Sequence, residues 1–145
     1  MNMKANDSLI EVSQEFNCKA SIVWESITNL EEMKIWFFEN LPEFELTPGF
    51  KTQFEVQSES RIFTHIWEVI DVDTPNSYSV SWTYKEYPGE GVTTFIVEEN
   101  GENSILKLHM QTVEDFPEDV PEFKRESCIA GWNWFIKERL VDYLS

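Results

Sequence analysis

Basic side chains are scarce in this sequence. Lys and Arg number 11 against 27 Asp and Glu, for a formal net charge of −16 over 145 residues. Phosphate recognition needs a basic footprint, so nucleic acid is excluded as a partner. The same repulsion disfavours an anionic membrane surface. Glycine is scarce too, with five in the chain, and no GxGxxG, GxxxxGK[ST] or GxSxG occurs. Phosphate-cradling loops therefore have no sequence to build them, and no cofactor is expected. The two histidines, His65 and His109, belong to neither an HxH nor an HExxH pattern. A metal site needs three or four converging ligands, so no metal is expected. The two cysteines, Cys18 and Cys128, form no CxxC pair and read as free buried thiols of a cytosolic protein. A disulfide, or a nucleophile with a His nearby in space, is the sharper alternative. No apolar run approaches the roughly 18 residues that span a bilayer, so membrane insertion is not expected. The first twenty residues lack a basic start followed by an apolar stretch, so no secretory signal is read and a cytoplasmic location is expected.

Aromatic residues are plentiful instead: 11 Phe, 6 Trp and 4 Tyr. That supply argues against disorder despite the charge, and the length suits one domain over residues 1–145 with one core. SLIEVSQEF alternates as a strand. ASIVWESITNLEEMKIWFFEN carries apolar residues at helical spacing. Asn29 followed by Glu32 marks a cap inside it, giving two short helices, the second stopped by Pro42. From Phe44 to Thr112 the period becomes two. GFKTQFEVQ places Phe50, Thr52, Phe54 and Val56 on one face, and NSYSVSWTYK does the same for Tyr78, Val80, Trp82 and Tyr84. RIFTHIWEVIDV is apolar on both faces, so its orientation stays open. EGVTTFIVEEN and NSILKLHMQT meet at Asn100-Gly101, a hairpin signal, and the second sets Leu106, Leu108 and Met110 against Lys107, His109 and Gln111. After the acidic stretch EDFPEDVPE, the remainder predicts a helix of about 20 residues with Pro121 in its first turn. Gly131 within it suits a close approach of helix and sheet. Strands without intervening helices give an α+β fold, and the terminal helix is the only element long enough to cover the sheet's apolar face.

That order, with these residues, resembles the helix-grip fold of the START-like (SRPBCC) superfamily, in the branch named for activators of the heat-shock-protein-90 ATPase. CKASIVWESITN is similar to the family's opening helix, and MKIWFFE to the aromatic end of the second. ELTPGFKTQFEV is similar to the family's turn into a strand, with Phe50 where a second glycine is common. VIDVDTPNSYSVSW is similar to its strand–turn–strand, and GWNWFIKERLVDYL to its closing helix. The resemblance implies a curved antiparallel sheet of six to seven strands wrapped around a long C-terminal helix, with two short helices after the first strand. It also implies a space between sheet and helix that can hold a ligand.

The residues expected to line that space are Trp36, Phe37, Phe54, Phe63, His65, Trp67, Trp82, Tyr84, Phe95, Met110, Cys128 and Trp132. Ligand pockets are mainly apolar with few polar groups, and this set fits that description. Six Trp could equally interlock and leave no void. His65 shares parity with Phe63 and Trp67, so it can orient a ligand, act as a base or be a hydrogen-bonded structural His. His109 is expected to face solvent. Glu68 would be a raised-pKa acid if buried, yet its odd spacing from His65 puts the two on opposite faces of a regular strand. Glu98-Glu99, Glu114-Asp115 and Glu118-Asp119 read as solvated surface. Lys124-Arg125 and Lys137-Glu138-Arg139 are expected to form pairs within the helix.

Three functions follow as expectations. The first is a soluble binding protein for an apolar or aromatic small molecule or lipid, with EDFPEDVPE as a lid. The second, implied by the resemblance, is a protein-interaction module of the co-chaperone kind, meeting a basic partner through the acidic surface. The third is a cyclase or hydrolase with His65 as base and Tyr84 as an orientation or oxyanion donor.

Overall fold

The structure is a computed structural model, and it describes residues 3–145. Strand β1 (Ile10–Phe16) is followed by helices α1 (Ala20–Thr28) and α2 (Leu30–Trp36). Then come β2 (Lys51–Ser58), β3 (Arg61–Asp73), β4 (Ser77–Tyr84), β5 (Glu90–Asn100) and β6 (Asn103–Glu114). A 3₁₀ turn (Pro121–Phe123) leads into the C-terminal helix. That helix runs from α3 (Arg125–Asn133) through a π-helical stretch (Trp134–Leu140) to a last turn (Val141–Tyr143). The six strands form one antiparallel sheet in the order β1-β6-β5-β4-β3-β2. The fold is α+β: an open, curved sheet gripping a long terminal helix.

Local sequence accounts for most of these boundaries. Asn29 Oδ1 accepts the Glu32 backbone N–H at 3.2 Å, which caps α2 where the Asn–Glu spacing placed it. The β5–β6 hairpin turns at Gly101-Glu102, with Gly101 at φ 64°, as the first central residue of a type II′ turn requires. In β4, Tyr78, Val80 and Trp82 are buried on one face, and in β6 Leu106, Leu108 and Met110 are. The open question about β3 resolves inward for Phe63, His65, Trp67 and Val69, while Ile62 and Ile70 are exposed.

Several expectations need correction. The second helix stops at Trp36, six residues before Pro42, because the backbone turns at Phe37 (φ −107°, ψ −108°) and sends Phe37 into the core. Period-two structure begins at Lys51 rather than Phe44. Between them Pro48 offers no N–H to a ladder, and Phe44 packs its ring against Trp67 and Tyr78 instead. Pro121 lies in the separate 3₁₀ turn, cut off from the helix by the extended Lys124. Gly131 marks no close approach, since a Cβ there would meet nothing within 4 Å. The close approaches are at Gly89 (φ 117°), where a Cβ would run into the Phe116 ring, and at Gly91, where it would lie 2.9 Å from Met110 Cε. Lys124 lies in the field of the neighbouring Glu126, but Arg125, Lys137 and Arg139 pair with backbone carbonyls rather than with neighbouring acids. Arg125 donates to Ser8 O and Leu9 O, Lys137 Nζ to Ser13 O at 2.6 Å, and Arg139 to Ile35 O. These contacts clamp the helix to β1 and α2. Glu68 is half-buried on the outer face, with Lys51 Nζ 3.9 Å away, so it is not the buried acid a hydrolase would need.

Candidate functional site

Two halves of the space under the C-terminal helix are packed differently. In one half aromatic rings interlock. Trp67 and Trp82 lie edge-on with centroids 4.9 Å apart, Phe37 stacks on Trp36 at 4.7 Å, and Tyr78 stacks on Phe95 at 5.0 Å. The crevice left among Phe37, Trp67, Tyr78, Val80, Trp82 and Phe95 has no room for a water. Tyr78 is fully committed there, its hydroxyl donating to Ile27 O at 2.7 Å. Trp36 likewise donates Nε1 to Ser26 O at 2.7 Å.

The other half stays open as a cavity of about 150 Å³. Trp132, Cys128, Gly131 and Phe135 of the C-terminal helix form one wall. His65, Trp82, Tyr84, Thr93 and Met110 of the sheet form the facing wall. The missing side chain at Gly131 leaves part of this space open, and Met110 occupies the room a side chain at Gly91 would need. Met110 Sδ lies 3.2 Å from Cys128 Sγ. Of the residues expected at the site, His65, Trp82, Tyr84, Met110, Cys128 and Trp132 are brought together on this cavity. Trp36, Phe37, Trp67 and Phe95 lie in the filled half. Phe54 backs His65, and Phe63 packs against Tyr84 and Phe123.

The mouth is covered by the acidic segment after β6. Phe116, Val120 and Phe123 turn inward and are buried, and Glu122 reaches the cavity, while Glu114, Asp115, Glu118 and Asp119 are exposed. The segment is held by residues ahead of β1: Met3 N–H donates to Phe123 O, and Phe116 N–H donates to Met3 O. Lys4 Nζ reaches Glu118 Oε1 at 2.7 Å and Ala5 N–H reaches Asp115 Oδ1 at 2.7 Å. Glu122 is fixed by Arg61, which donates from Nε and Nη2, and by Ser58 Oγ. Burial alone would raise the Glu122 carboxyl, but these hydrogen bonds outweigh it and hold its pKa below the usual value. At the opposite end Phe38 and Phe135, with centroids 5.1 Å apart, separate the cavity from an open groove of about 490 Å³. That groove is bounded also by Trp134 and Arg139. Phe50 lies away from both, edge-on to Phe44.

Polar groups on the cavity are few and electrically neutral at pH 7 apart from Glu122. His65 Nδ1 accepts the Trp82 indole N–H at 3.0 Å, so the neutral ring carries its proton on Nε2 and presents a donor. Its ring stacks on Phe54 at 5.0 Å, and burial lowers its pKa to about 3 even though the Glu86 charge pulls the other way. Burial raises the Tyr84 hydroxyl and pushes the Cys128 thiol up to about 12. Cys18 and Cys128 are both free thiols. His109 sits on the outer face, 3.5 Å from Glu11 Oε1. Among the described residues no group of three or more His, Cys, Asp or Glu could hold a metal ion, and no helix is long and apolar enough to cross a membrane.

Sequence reasoning missed Thr93, Phe38, Phe116, Phe123 and Phe135 as wall residues. Thr93 was findable, since it alternates with Phe95 and Val97 on the inward face of β5. Phe116 and Phe123 were masked by the acids around them.

The family model for "Activator of Hsp90 ATPase homolog 1-like protein" matches residues 17–145. No curated protein matches the sequence significantly. Among solved structures, the chain is similar to Mll3558 from Rhizobium loti (TM-score 0.78, 12% identity, 94% of this chain and 96% of that one). It is also similar to CV1439 from Chromobacterium violaceum (TM-score 0.76, 14% identity, 94% and 96% covered). DynU16, a protein of the dynemicin biosynthetic locus, is similar over 95% of this chain and 47% of its own length (TM-score 0.73, 22% identity). At these identities the likeness carries the fold alone.

Proposed function

For a chain that belongs to the family of activator of Hsp90 ATPase homolog 1-like proteins, we propose binding of an apolar or aromatic small molecule in the cavity beneath the C-terminal helix. One observation carries this reading: an apolar space persists in a chain whose aromatics fill the adjoining half completely. Interiors ordinarily close such voids, because unfilled volume forfeits dispersion contacts. A cavity of about 150 Å³ lined by apolar side chains is large enough for a ring of benzene size. Trp82 and Trp132 stand in its walls and supply the optical signal.

Intrinsic tryptophan fluorescence of the purified chain, titrated with a panel of small apolar and aromatic molecules, tests the reading. Saturable quenching by a panel member, lost in a Gly131→Leu variant that fills the space, is the expected result. A panel that leaves the emission unchanged contradicts it.

The protein-interaction reading draws on a different observation. Trp134 is 45% exposed on the open groove, with the Arg139 guanidinium 5.1 Å over its ring, on a chain of net charge −16. Salt-sensitive co-purification with a larger protein would move weight to it. The enzymatic reading loses support from His65. Its Nδ1 lone pair is occupied by Trp82, and a group with a pKa of about 3 is a poor base near neutrality.

A further inference from the structure

Two side chains line both the cavity and the open groove beyond it: Phe38 and Phe135. Both are only partly buried. The partition they make is a contact between rings. Phe135 meets Phe38 at 5.1 Å and Phe37 at 4.9 Å, centroid to centroid, so no polar bond breaks when its ring moves. It has room to move. Gly131 stands four residues earlier on the helix, where a helical side chain leans, and a Cβ there would meet nothing within 4 Å. Phe135 also lies in the π-helical stretch Trp134–Leu140, a geometry that is rare and found frequently at functional sites. Side chains with exposed surface change rotamer in nanoseconds or less.

The far mouth of the cavity is closed differently. Lys4 Nζ to Glu118 Oε1 and Ala5 N–H to Asp115 Oδ1 are both 2.7 Å, and Met3 shares backbone hydrogen bonds with Phe116 and Phe123. Opening that end breaks these bonds together, whereas Phe135 gives way for ring contacts alone. Past Phe135 the groove keeps apolar walls in Phe37, Val56 and Trp134, while its acids Glu39 and Glu55 are exposed. Arg139 is turned to the Trp134 ring and to Ile35 O. A ring that fills the cavity of about 150 Å³ therefore has an apolar path leading out of it.

We infer that cavity and groove are one binding channel divided by Phe135, and that its ligand is a single ring carrying a flexible apolar chain, the ring in the cavity and the chain running past Phe135 along Trp134. This rests on the cavity-binding reading above and adds the ligand's length and its way in.

Proton–nitrogen NMR of the indole N–H groups of the full chain, titrated with p-cresol and with 4-pentylphenol, tests it. The probes share a head and differ only in the chain. Both are expected to move the Trp82 and Trp132 signals, and 4-pentylphenol alone to move Trp134. A fully buried methylene is worth about a fourfold gain in affinity, and the groove buries the four extra ones only in part, so 4-pentylphenol is expected to bind about tenfold tighter. Stopped-flow tryptophan fluorescence with p-cresol then reads the way in. Phe135→Ala is expected to raise the association rate about tenfold, and Lys4→Ala, which loosens the far mouth, to leave it unchanged. A Trp134 signal unmoved by 4-pentylphenol, while Trp82 and Trp132 shift, overturns the channel and leaves cavity binding in place; the natural chain alone decides this. Faster association in Lys4→Ala, or none in Phe135→Ala, overturns the entry at Phe135. Trp82 and Trp132 signals that neither probe moves overturn this inference and the reading beneath it together.

Discussion

Acid should destabilise this protein at a pH where its carboxylates are still charged, and His65 is the reason. The ring is 8% exposed, wedged between Phe54 and Tyr84, and burial lowers its pKa from 6.5 to about 3. In the unfolded chain His65 takes up a proton as pH falls through about 6.5, whereas in the fold it stays neutral down to about 3. The unfolded state therefore binds more protons across that window. The stability associated with the neutral ring is complete above about 6.5 and is lost progressively as pH falls towards 3. Each pH unit inside the window is worth about 1.4 kcal/mol, so moving from pH 7.5 to 5 costs about 2 kcal/mol. That is a large share of the 5–15 kcal/mol typical of a domain, and it corresponds to a fall in Tm of about 7 °C at this chain length. Glu86, Glu118 and Glu122 also have pKa values held below the ordinary one, so their contributions are lost in the same direction, but only below about pH 4.5. Urea denaturation at half-unit steps from pH 7.5 to 5, run on the natural chain and on His65→Gln, isolates the effect. The variant is expected to show a flatter pH dependence, whatever its absolute stability. Parallel curves for the two proteins would refute the assignment of the sensitivity to His65.

Other perturbations have outcomes set by the same geometry. Gly131→Ala places a Cβ in open space within the helix and should raise stability by about 1 kcal/mol in urea denaturation. Phe116→Ala removes a 3%-exposed ring from the cavity cover and should lower stability by about 3 kcal/mol, with increased binding of a hydrophobic dye such as ANS. The Cys128 thiol, pushed up to about 12 by burial, should resist alkylation by iodoacetamide at pH 8 in the folded protein and react on unfolding, as peptide mass spectrometry can follow.

The sheet and its covering helix were legible because two periodicities write them plainly. β4 alternates Tyr78, Val80 and Trp82 against serines and threonine, and only one face can be buried. β3 was not legible, because Ile62, Ile66 and Ile70 make its outer parity as apolar as its inner one, and its neighbours β2 and β4 decide the matter. The cavity was legible in part for a related reason. Inward parity names Trp67, Trp82 and Phe95 alike, but whether rings interlock or leave space depends on their relative tilt, which no local pattern records. Phe37 and Trp82 meet at 68° and close one half, whereas Gly131 opens the other. The helix's basic residues misled for want of a partner visible in sequence. Lys137 meets the carbonyls of β1 across 124 positions, beyond any spacing rule.

The central claim is that the cavity beneath the C-terminal helix, with Trp82 and Trp132 in its walls, takes up a small ring. Proton–nitrogen NMR of the six indole N–H groups, titrated with p-cresol, measures this most directly. The account predicts saturable shifts of the Trp82 and Trp132 signals, with the exposed Trp134 signal unmoved. Indole signals that stay in place up to the solubility limit, or a shift confined to Trp134, would contradict it.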